Sequence, residues 1–465
     1  MFIDGKWILR EDLDILNPYT LEIIERITAL DREETKYAIE VATENKDVMK
    51  ELNPSKRYSL LMKIAEHISS KKDLFANTIS VDVGKPIKQS RIEVDRTITA
   101  FRLSALYAKE LRGETIPSEN EIIFTKKEPV GVVGAITPFN FPLNLITHKI
   151  GPAIATGNAV VLHPSSKAPI TAIYLTKVIE HVLKKMNIER GVFNLTTGNG
   201  EIVGDEIAKN EKINFLSFTG SVEVGELISK SSYMKKVALE LGGNNPLIVL
   251  KDSDIELAAK SAVKSKFLNS GQVCISVGKV IVEEEVLETF TKKVIEETKK
   301  LVLGNPLDEK TDLGPLITPE SALRVEILIK ESISEGGELL IGGNRSNSLI
   351  SPAVLNIDED NILSKVEAFG PILPILKAKD DEHALNIANN SKYGLQAGIF
   401  TNDINKAMKF ANKLEYGGVI VNGSPTFRKD NMPFGGIKKS GLGKEGIKYA
   451  VEEMCETKTV VIHNM

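Results

Sequence analysis

Glu240 and Cys274 are the two residues whose types and surroundings in this sequence could do chemistry. Residues 237–241 are short and mostly apolar, so they are predicted to form a strand that Gly242 and Gly243 end. Glu240 would then be a carboxylate held among apolar neighbours near a strand end. Burial raises the pKa of a glutamate from about 4.3 towards neutrality, where a general base can work.

Cys274 follows a predicted helix that begins at a cap formed by Asp252 or Ser253 and ends at residues 269–271. This position indicates a loop just past a helix. A single cysteine is more often a small buried apolar residue than a nucleophile, and a lone glutamate beside two glycines is usually solvated. The pair favours a nucleophile and a base, because both residues lie in glycine-flanked turns directly after apolar segments.

Composition narrows the possible classes of protein. The chain has 465 residues, enough for two or three domains, and its 42% hydrophobic and 26% charged residues are typical of a soluble globular protein. A net charge of -4 argues against a nucleic-acid partner. The two cysteines, Cys274 and Cys455, form no disulfide or zinc pattern, so we expect no metal site and a cytoplasmic location. No apolar run of about 18 residues exists, so no membrane partner is expected.

Predicted strands and helices alternate between residues 130 and 241. The strands fall at 130–136, 159–162, 191–195, 213–218 and 237–241, and the helices at 142–156, 168–186, 201–209 and 222–231. Such alternation is typical of a parallel sheet with helices on both faces, in which ligands bind beyond the carboxyl ends of the strands. The residues at those ends are Asn140, His163, Gly198, Gly220 and Glu240.

The segments on either side have a different pattern. A hairpin with a turn at residues 17–20 is predicted first, and amphipathic helices follow at 31–51, 55–70, 72–82 and 87–111. After Cys274 a second αβ unit begins with a strand at 279–282 and a helix at 286–301.

The sequence Leu-Glu-Leu-Gly-Gly around Glu240 and the sequence Gly-Gln-Val-Cys ending at Cys274 resemble the paired signatures of the aldehyde dehydrogenase superfamily. The match in order and spacing covers essentially the whole chain. The resemblance implies an α/β fold with a parallel Rossmann-type cofactor domain, an α/β catalytic domain and a β oligomerisation arm. The cofactor domain would comprise residues 1–112 and 131–242, and the catalytic domain residues 243–442. The arm and the C-terminal segment would comprise residues 113–130 and 443–465. A homo-oligomer, dimer or tetramer, is expected through the arm.

The same resemblance assigns roles to individual residues. Cys274 would attack the aldehyde, Asn140 and the backbone N–H of Cys274 would hold the oxyanion, and Glu240 would activate the water that hydrolyses the thioester. Because relatives that transfer the acyl group to coenzyme A lack this glutamate, its presence favours hydrolysis. The expected cofactor is NADP or NAD. It would be held by Thr137, Pro138, Phe139, His163, Ser165, Ser166, Lys167, Gly220, Ser221, Gly225, Leu241, Glu367 and Phe369.

One departure from the family pattern bears on the cofactor. Relatives commonly have Lys-Pro-Ser-Glu after the second strand, whereas this chain has His163, Pro164, Ser165 and Ser166. A glutamate at the last position repels the 2′-phosphate of NADP by like charge. Ser166 carries no charge, and Lys167 or His163 could pair with a phosphate. We therefore predict that NADP is accepted, with use of NAD left open.

The predicted substrate is a small unphosphorylated aldehyde. Relatives that oxidise glyceraldehyde 3-phosphate have an arginine directly before the cysteine, and Val273 stands there in this chain. The whole chain is most similar to family members that oxidise lactaldehyde. Glyceraldehyde 3-phosphate and succinate semialdehyde remain alternatives, because Arg96, Arg102 and Arg428 could reach the pocket. A catalytically silent structural relative is a further alternative, which the intact catalytic residues argue against.

Overall fold

A computed structural model describes residues 1–232 and 234–463 of the chain. Four short strands and four helices come first: β1 (Phe2–Ile3), β2 (Lys6–Trp7), β3 (Leu13–Leu16), β4 (Ile23–Ile27), α1 (Arg32–Glu51), α2 (Pro54–Ser70), α3 (Lys72–Val83) and α4 (Ile87–Glu110). Strands β3 and β4 pair as the predicted hairpin. A capping box formed by Asp31 and Glu34 starts α1, and Asn53 followed by Pro54 starts α2.

The arm and the first αβ unit follow. Their elements are β5 (Thr115–Ile116), β6 (Glu121–Pro129), β7 (Val132–Ile136), α5 (Asn144–Thr156), β8 (Ala159–His163), α6 (Ile170–Lys185), β9 (Phe193–Leu195), α7 (Asp205–Lys209), β10 (Phe215–Thr219), α8 (Val222–Ser231) and β11 (Lys236–Glu240). The five strands predicted between residues 130 and 241 are all present. The third begins later than predicted because a 3-10 turn occupies Arg190–Val192, and the helix predicted from residue 142 begins at Asn144.

These five strands run parallel in the order β9-β8-β7-β10-β11. Strands β7, β8, β9 and β10 are buried along their whole length, as expected for strands covered by helices on both faces. The chain reverses its direction of travel across the sheet between β7 and β10, and parallel sheets bind ligands at such a switch point.

The remaining elements belong to the second αβ unit, except that the last three return to the first unit and the arm. They are β12 (Asn245–Val249), α9 (Ile255–Phe267), β13 (Val277–Glu283), α10 (Leu287–Thr298), α11 (Pro319–Ser334), β14 (Glu338–Ile341), β15 (Arg345–Ser346), β16 (Leu349–Ile350), β17 (Ala353–Ile357), α12 (Ile362–Lys365), β18 (Ile372–Ala378), α13 (Asp381–Asn389), β19 (Gln396–Phe400), α14 (Ile404–Lys413), β20 (Gly418–Val421), β21 (Gly441–Leu442), α15 (Ile447–Glu453) and β22 (Cys455–His463). The order in the seven-stranded sheet of the second unit is β14-β17-β18-β13-β12-β19-β20.

The predicted cap of α9 is wrong. Asp254 is the N-cap, and its side chain accepts a hydrogen bond from the backbone N–H of Leu257. The carboxylate of Asp252 accepts instead from Thr401 at 2.7 Å, and the hydroxyl of Ser253 donates to the carbonyl of Phe400 at 2.9 Å. Both candidates are therefore used to join α9 to the neighbouring β19.

Segments from far apart in the chain complete the first sheet and the arm. Strands β1 and β2 extend one edge of the first sheet, and β21 pairs with β11 at the other edge. In the arm, β22 pairs antiparallel with β6 through nine residue pairs, and β5 lies on the other side of β6. Among the described residues no helix is long and apolar enough to cross a membrane.

Candidate active site

Glu240 is the last residue of β11 and lies at the edge where the first sheet meets the second unit. Its side chain is 3% exposed, and neither carboxylate oxygen has a hydrogen-bond partner within the described residues. Gly435 has a positive φ of 152°, and a Cβ there would stand 2.9 Å from Oε1 of Glu240. Burial, together with the charge of Glu445, raises the pKa of Glu240 well above its ordinary value. The predicted direction of this shift is confirmed.

Cys274 lies in a turn that follows α9, as predicted. Before it, Asn269 and Ser270 have φ values of 47° and 55°, in the left-handed region that few non-glycine residues adopt. The half-buried thiol belongs to an apolar cluster with Phe434 and Val273. Burial raises the pKa of the Cys274 thiol to about 12 against the opposing charge of Arg428, so the thiol is protonated at neutral pH before substrate binds.

Asn140 reaches the cysteine loop from the segment between β7 and α5. It is 3% exposed, and its Nδ2 donates to the carbonyl of Gln272 at 2.9 Å. The backbone carbonyl of Asn140 accepts from Nδ2 of Asn269 at 3.2 Å. One N–H of the amide is thus engaged with the turn before Cys274, and the same nitrogen carries a second N–H.

Three charged side chains, those of Lys149, Arg428 and Glu445, form a buried cluster whose charges act on Glu240. This cluster was not predicted from the sequence. Nζ of Lys149 is 2.7 Å from Oε1 of Glu445, and Nη2 of Arg428 is 3.3 Å from its Oε2. These two cations hold the pKa of Glu445 below its usual range despite burial. A charged residue in the otherwise apolar sequence of α5 was the available signal for Lys149. Glu445 carried no comparable signal.

Four of the residues predicted to hold the cofactor lie beside this site. Oε1 of Glu367 accepts from the backbone N–H of Gly243 at 3.1 Å, and burial raises the pKa of Glu367 to about 7. The rings of Phe139 and Phe369 meet edge to face with centroids 6.1 Å apart. Thr137 is buried at the end of β7, and its hydroxyl has no partner within the described residues.

The turn at Gly220 and Ser221, two residues predicted to hold the cofactor, lies next to Glu240. The N–H of Gly220 donates to the carbonyl of Glu240 at 3.0 Å, and Ser221 caps the N-terminus of α8. A Cβ on Gly225 would collide with the side chain of Leu241, so only a glycine lets α8 come this close to the sheet. The turn therefore offers a helix N-terminus to a phosphate at the switch point.

The loop after β8 bears on the 2′-phosphate of the cofactor, and its two predicted phosphate partners differ in burial and charge. His163 is 3% exposed, and burial lowers the pKa of its ring to about 4. It is therefore neutral at pH 7 and is not a charged partner for a phosphate. Ser165 and Ser166 are half-buried, whereas Lys167 is exposed. Pro138, another predicted cofactor residue, is half-buried just after the end of the neighbouring β7. Lys167 is the cation that this loop offers.

The three arginines considered as substrate ligands are differently placed. Arg96 pairs with Asp430 at 2.6 Å, and Arg102 is exposed. The side chain of Arg428 is 6% exposed and pairs with Glu445, and its guanidinium carbon lies 3.8 Å from the ring centroid of Phe434. Arg96 and Arg428 each already face a carboxylate, which disfavours their use as ligands for a strongly anionic substrate.

Comparison with known proteins agrees with this geometry. Residues 7–460 match the model of the aldehyde dehydrogenase family. Over 465 residues the chain is 82% identical to a lactaldehyde dehydrogenase of Methanococcus maripaludis strain C5, with both chains fully covered. It superposes with a TM-score of 0.97 and 56% identity on glyceraldehyde-3-phosphate dehydrogenase GapN from Methanocaldococcus jannaschii complexed with NADP, covering 98% of this chain and 100% of that one. For betaine aldehyde dehydrogenase from Staphylococcus aureus with NAD+, the TM-score is 0.95 at 32% identity, covering 99% and 94%.

Proposed function

The chain belongs to the aldehyde dehydrogenase family, and we propose that it oxidises lactaldehyde to lactate with NADP or NAD. As a member of this family it is an aldehyde-oxidising oxidoreductase. The observation that carries the proposal is the meeting of the Cys274 loop, the amide of Asn140 and the buried carboxylate of Glu240 at one edge of the first sheet. A nucleophile, an oxyanion donor and a base are the groups that this oxidation needs.

The cofactor site fits a dinucleotide. Gly225 lets α8 pack closely against Leu241, and the hydroxyl of Ser221 caps the N-terminus of α8. A helix N-terminus placed in this way suits a pyrophosphate. Glu367 offers a carboxylate to the hydroxyls of a ribose. The chemistry that the bound nicotinamide supplies is acceptance of one hydride.

The acylation half of the reaction begins at Cys274. Because the thiol has a pKa of about 12, it must lose its proton as it attacks, and ionised Glu240 accepts that proton through a water molecule. The sulfur then forms a bond to the aldehyde carbon. The free N–H of the Asn140 amide and the backbone N–H of Cys274 hold the oxyanion until loss of the hydride leaves a thioester.

The deacylation half depends on Glu240. After releasing its proton to solvent, the carboxylate takes a proton from a water molecule, and the resulting hydroxide attacks the thioester carbon. The carbon–sulfur bond breaks, the departing sulfur takes the proton back from Glu240, and the acid leaves. The unpartnered oxygens of Glu240 are free to receive that proton, and its raised pKa makes it a better base than an exposed glutamate.

The choice of lactaldehyde rests on the relative named for it and on the charges around the pocket. Val273 is buried directly before the nucleophile, and the guanidinium of Arg428 is engaged with Glu445. A small uncharged hydroxyaldehyde needs no further cation. The second candidate is glyceraldehyde 3-phosphate, which is favoured by the M. jannaschii structure named for that activity.

We propose that NADP is accepted through Lys167 and the uncharged Ser166. The M. jannaschii structure complexed with NADP supports this proposal. We also propose a cytoplasmic homo-oligomer. Its support is the exposed outer edge of β22, where Val461 and Ile462 are 46% and 49% exposed on a strand with one unpaired side.

The test is the absorbance of reduced cofactor with purified protein, lactaldehyde or glyceraldehyde 3-phosphate, and NADP or NAD. A kcat/KM at least tenfold higher for lactaldehyde is expected. The variant Cys274→Ala should bind NADP normally and produce no reduced cofactor. Higher specificity for the phosphorylated aldehyde would replace the first candidate with the second, and turnover by Cys274→Ala would refute the mechanism.

A further inference from the structure

The first two turns of α4 hold both catalytic loops. Oε1 of Gln89 accepts from the backbone N–H of Asn269, in the turn before the nucleophile, at 2.9 Å. Oε1 of Glu93, one turn further along α4, accepts from the backbone N–H groups of Leu143 and Asn144 at 3.0 and 3.1 Å. One helix therefore contacts the cysteine loop of the second unit and the Asn140 loop of the first.

Glu93 supplies the cap that α5 lacks. No side chain at the N-cap of α5 accepts a hydrogen bond from the helix, and the first N–H groups of a buried helix need an acceptor. A carboxylate at this end also interacts favourably with the helix dipole. Because α5 begins only a few residues after Asn140, the position of this cap determines where the Asn140 amide stands.

The other carboxylate oxygen of Glu93 accepts a hydrogen bond from Nζ of Lys85, and both side chains of this ion pair are buried. Nζ of Lys85 also lies 3.7 Å from the ring centroid of Phe141, the residue after Asn140. A buried ion pair adds little net stability compared with apolar residues of similar size. Here each member of the pair contacts the Asn140 loop, which indicates a role in placing that loop.

We propose that Glu93 is a positioning residue that sets the Asn140 amide for the oxyanion, an inference that rests on the role proposed above for Asn140. The tie between the loops is continuous. Gln89 fixes Asn269, Nδ2 of Asn269 donates to the carbonyl of Asn140, and Glu93 fixes the start of the helix that follows.

The test is a double-mutant cycle on kcat/KM. Asn140→Ala should lower the rate about 10²- to 10³-fold, because an oxyanion donor is lost. Glu93→Gln should lower it about 10- to 100-fold through displacement of that donor, with the Kd for NADP little changed and the Tm lowered, because Lys85 loses its buried partner. If Glu93 acts through Asn140, the double variant should be no slower than Asn140→Ala alone.

Asp82→Asn is the matched control, because the buried carboxylate of Asp82 caps α6 through Thr171 in the same way. In the double variant, the fold-losses of kcat/KM from Asp82→Asn and from Asn140→Ala should multiply, because the two sites act independently. The positioning role would be overturned if the losses of kcat/KM from Glu93→Gln and Asn140→Ala multiplied in the double variant. It would also be overturned if Glu93→Gln kept the wild-type rate. Either result would leave the oxyanion role of Asn140 intact. A wild-type rate for Asn140→Ala would overturn both. If Glu93→Gln does not fold, the variant that carries both Lys85→Gln and Glu93→Gln removes both charges of the buried pair. It then replaces Glu93→Gln in the double-mutant cycle with Asn140→Ala.

Discussion

The raised pKa of the Cys274 thiol predicts slow alkylation that accelerates steadily with pH. With a pKa of about 12, about one thiol in 10⁴ is ionised at pH 8, whereas about a quarter of an ordinary cysteine with a pKa near 8.5 is ionised. The greater intrinsic reactivity of a more basic thiolate recovers part of this difference. Iodoacetamide should therefore modify Cys274 roughly 50-fold more slowly than free cysteine at pH 8.

The assay is labelling of cofactor-free protein from pH 7 to 9.5, with the modified peptide quantified by mass spectrometry. The rate should rise about tenfold per pH unit with no plateau, because the folded-state pKa lies above the whole range. Cys274→Ser is the control, since the buried Cys455 should stay unmodified. A plateau near pH 8 would mean that the thiolate is already formed in the free enzyme and would refute the proposed proton transfer to Glu240.

Four further experiments have defined outcomes. Glu240→Gln should slow the single burst of reduced cofactor in stopped flow and lower the turnover that follows about 10²- to 10⁴-fold, because general-base catalysis is lost from both acylation and deacylation; a burst at the wild-type rate would contradict this. In the wild type, the acid limb of kcat should lie well above the ordinary glutamate pKa of about 4.3, because Glu240 must be ionised to act and its folded-state pKa is raised. Ser166→Glu should raise the KM for NADP at least tenfold by like-charge repulsion and leave the KM for NAD nearly unchanged; equal effects on both cofactors would exclude a 2′-phosphate at this position. Gly271→Ala should abolish turnover but not nucleotide binding, because Gly271 has a φ of 77° and a Cβ there would collide with the carbonyl of Gly370; normal kcat would show that the cysteine loop tolerates the shift.

The five parallel strands and the choice of Glu240 and Cys274 as catalytic candidates could be predicted from sequence, because each depends on a local signal. Apolar segments alternate with helical ones from residue 130 to residue 241, and Glu240 and Cys274 each follow such a segment directly. Glycine-flanked turns at strand ends are visible without knowledge of the fold.

What could not be predicted depends on side chains that meet across the fold. Asp252, Ser253 and Asp254 are all good caps for α9, and contacts with β19 decide which one is used. His163 has an ordinary sequence context, and only burial shows that it is neutral. The tie from Glu93 to the start of α5 has no sequence signal, because its partners are backbone N–H groups.

The pairing of β21 with β11 has a consequence for how the enzyme matures. Gly441 lies opposite Glu240 in that pairing, yet it is synthesised only after every strand of the second sheet. Until then a growing chain presents the outer edge of β11 unpaired, which exposes it to association with other chains. Folding of the catalytic edge therefore awaits residues made late in translation, so a nascent chain that has completed both αβ units but not β21 should carry Glu240 and Cys274 without yet being an active enzyme.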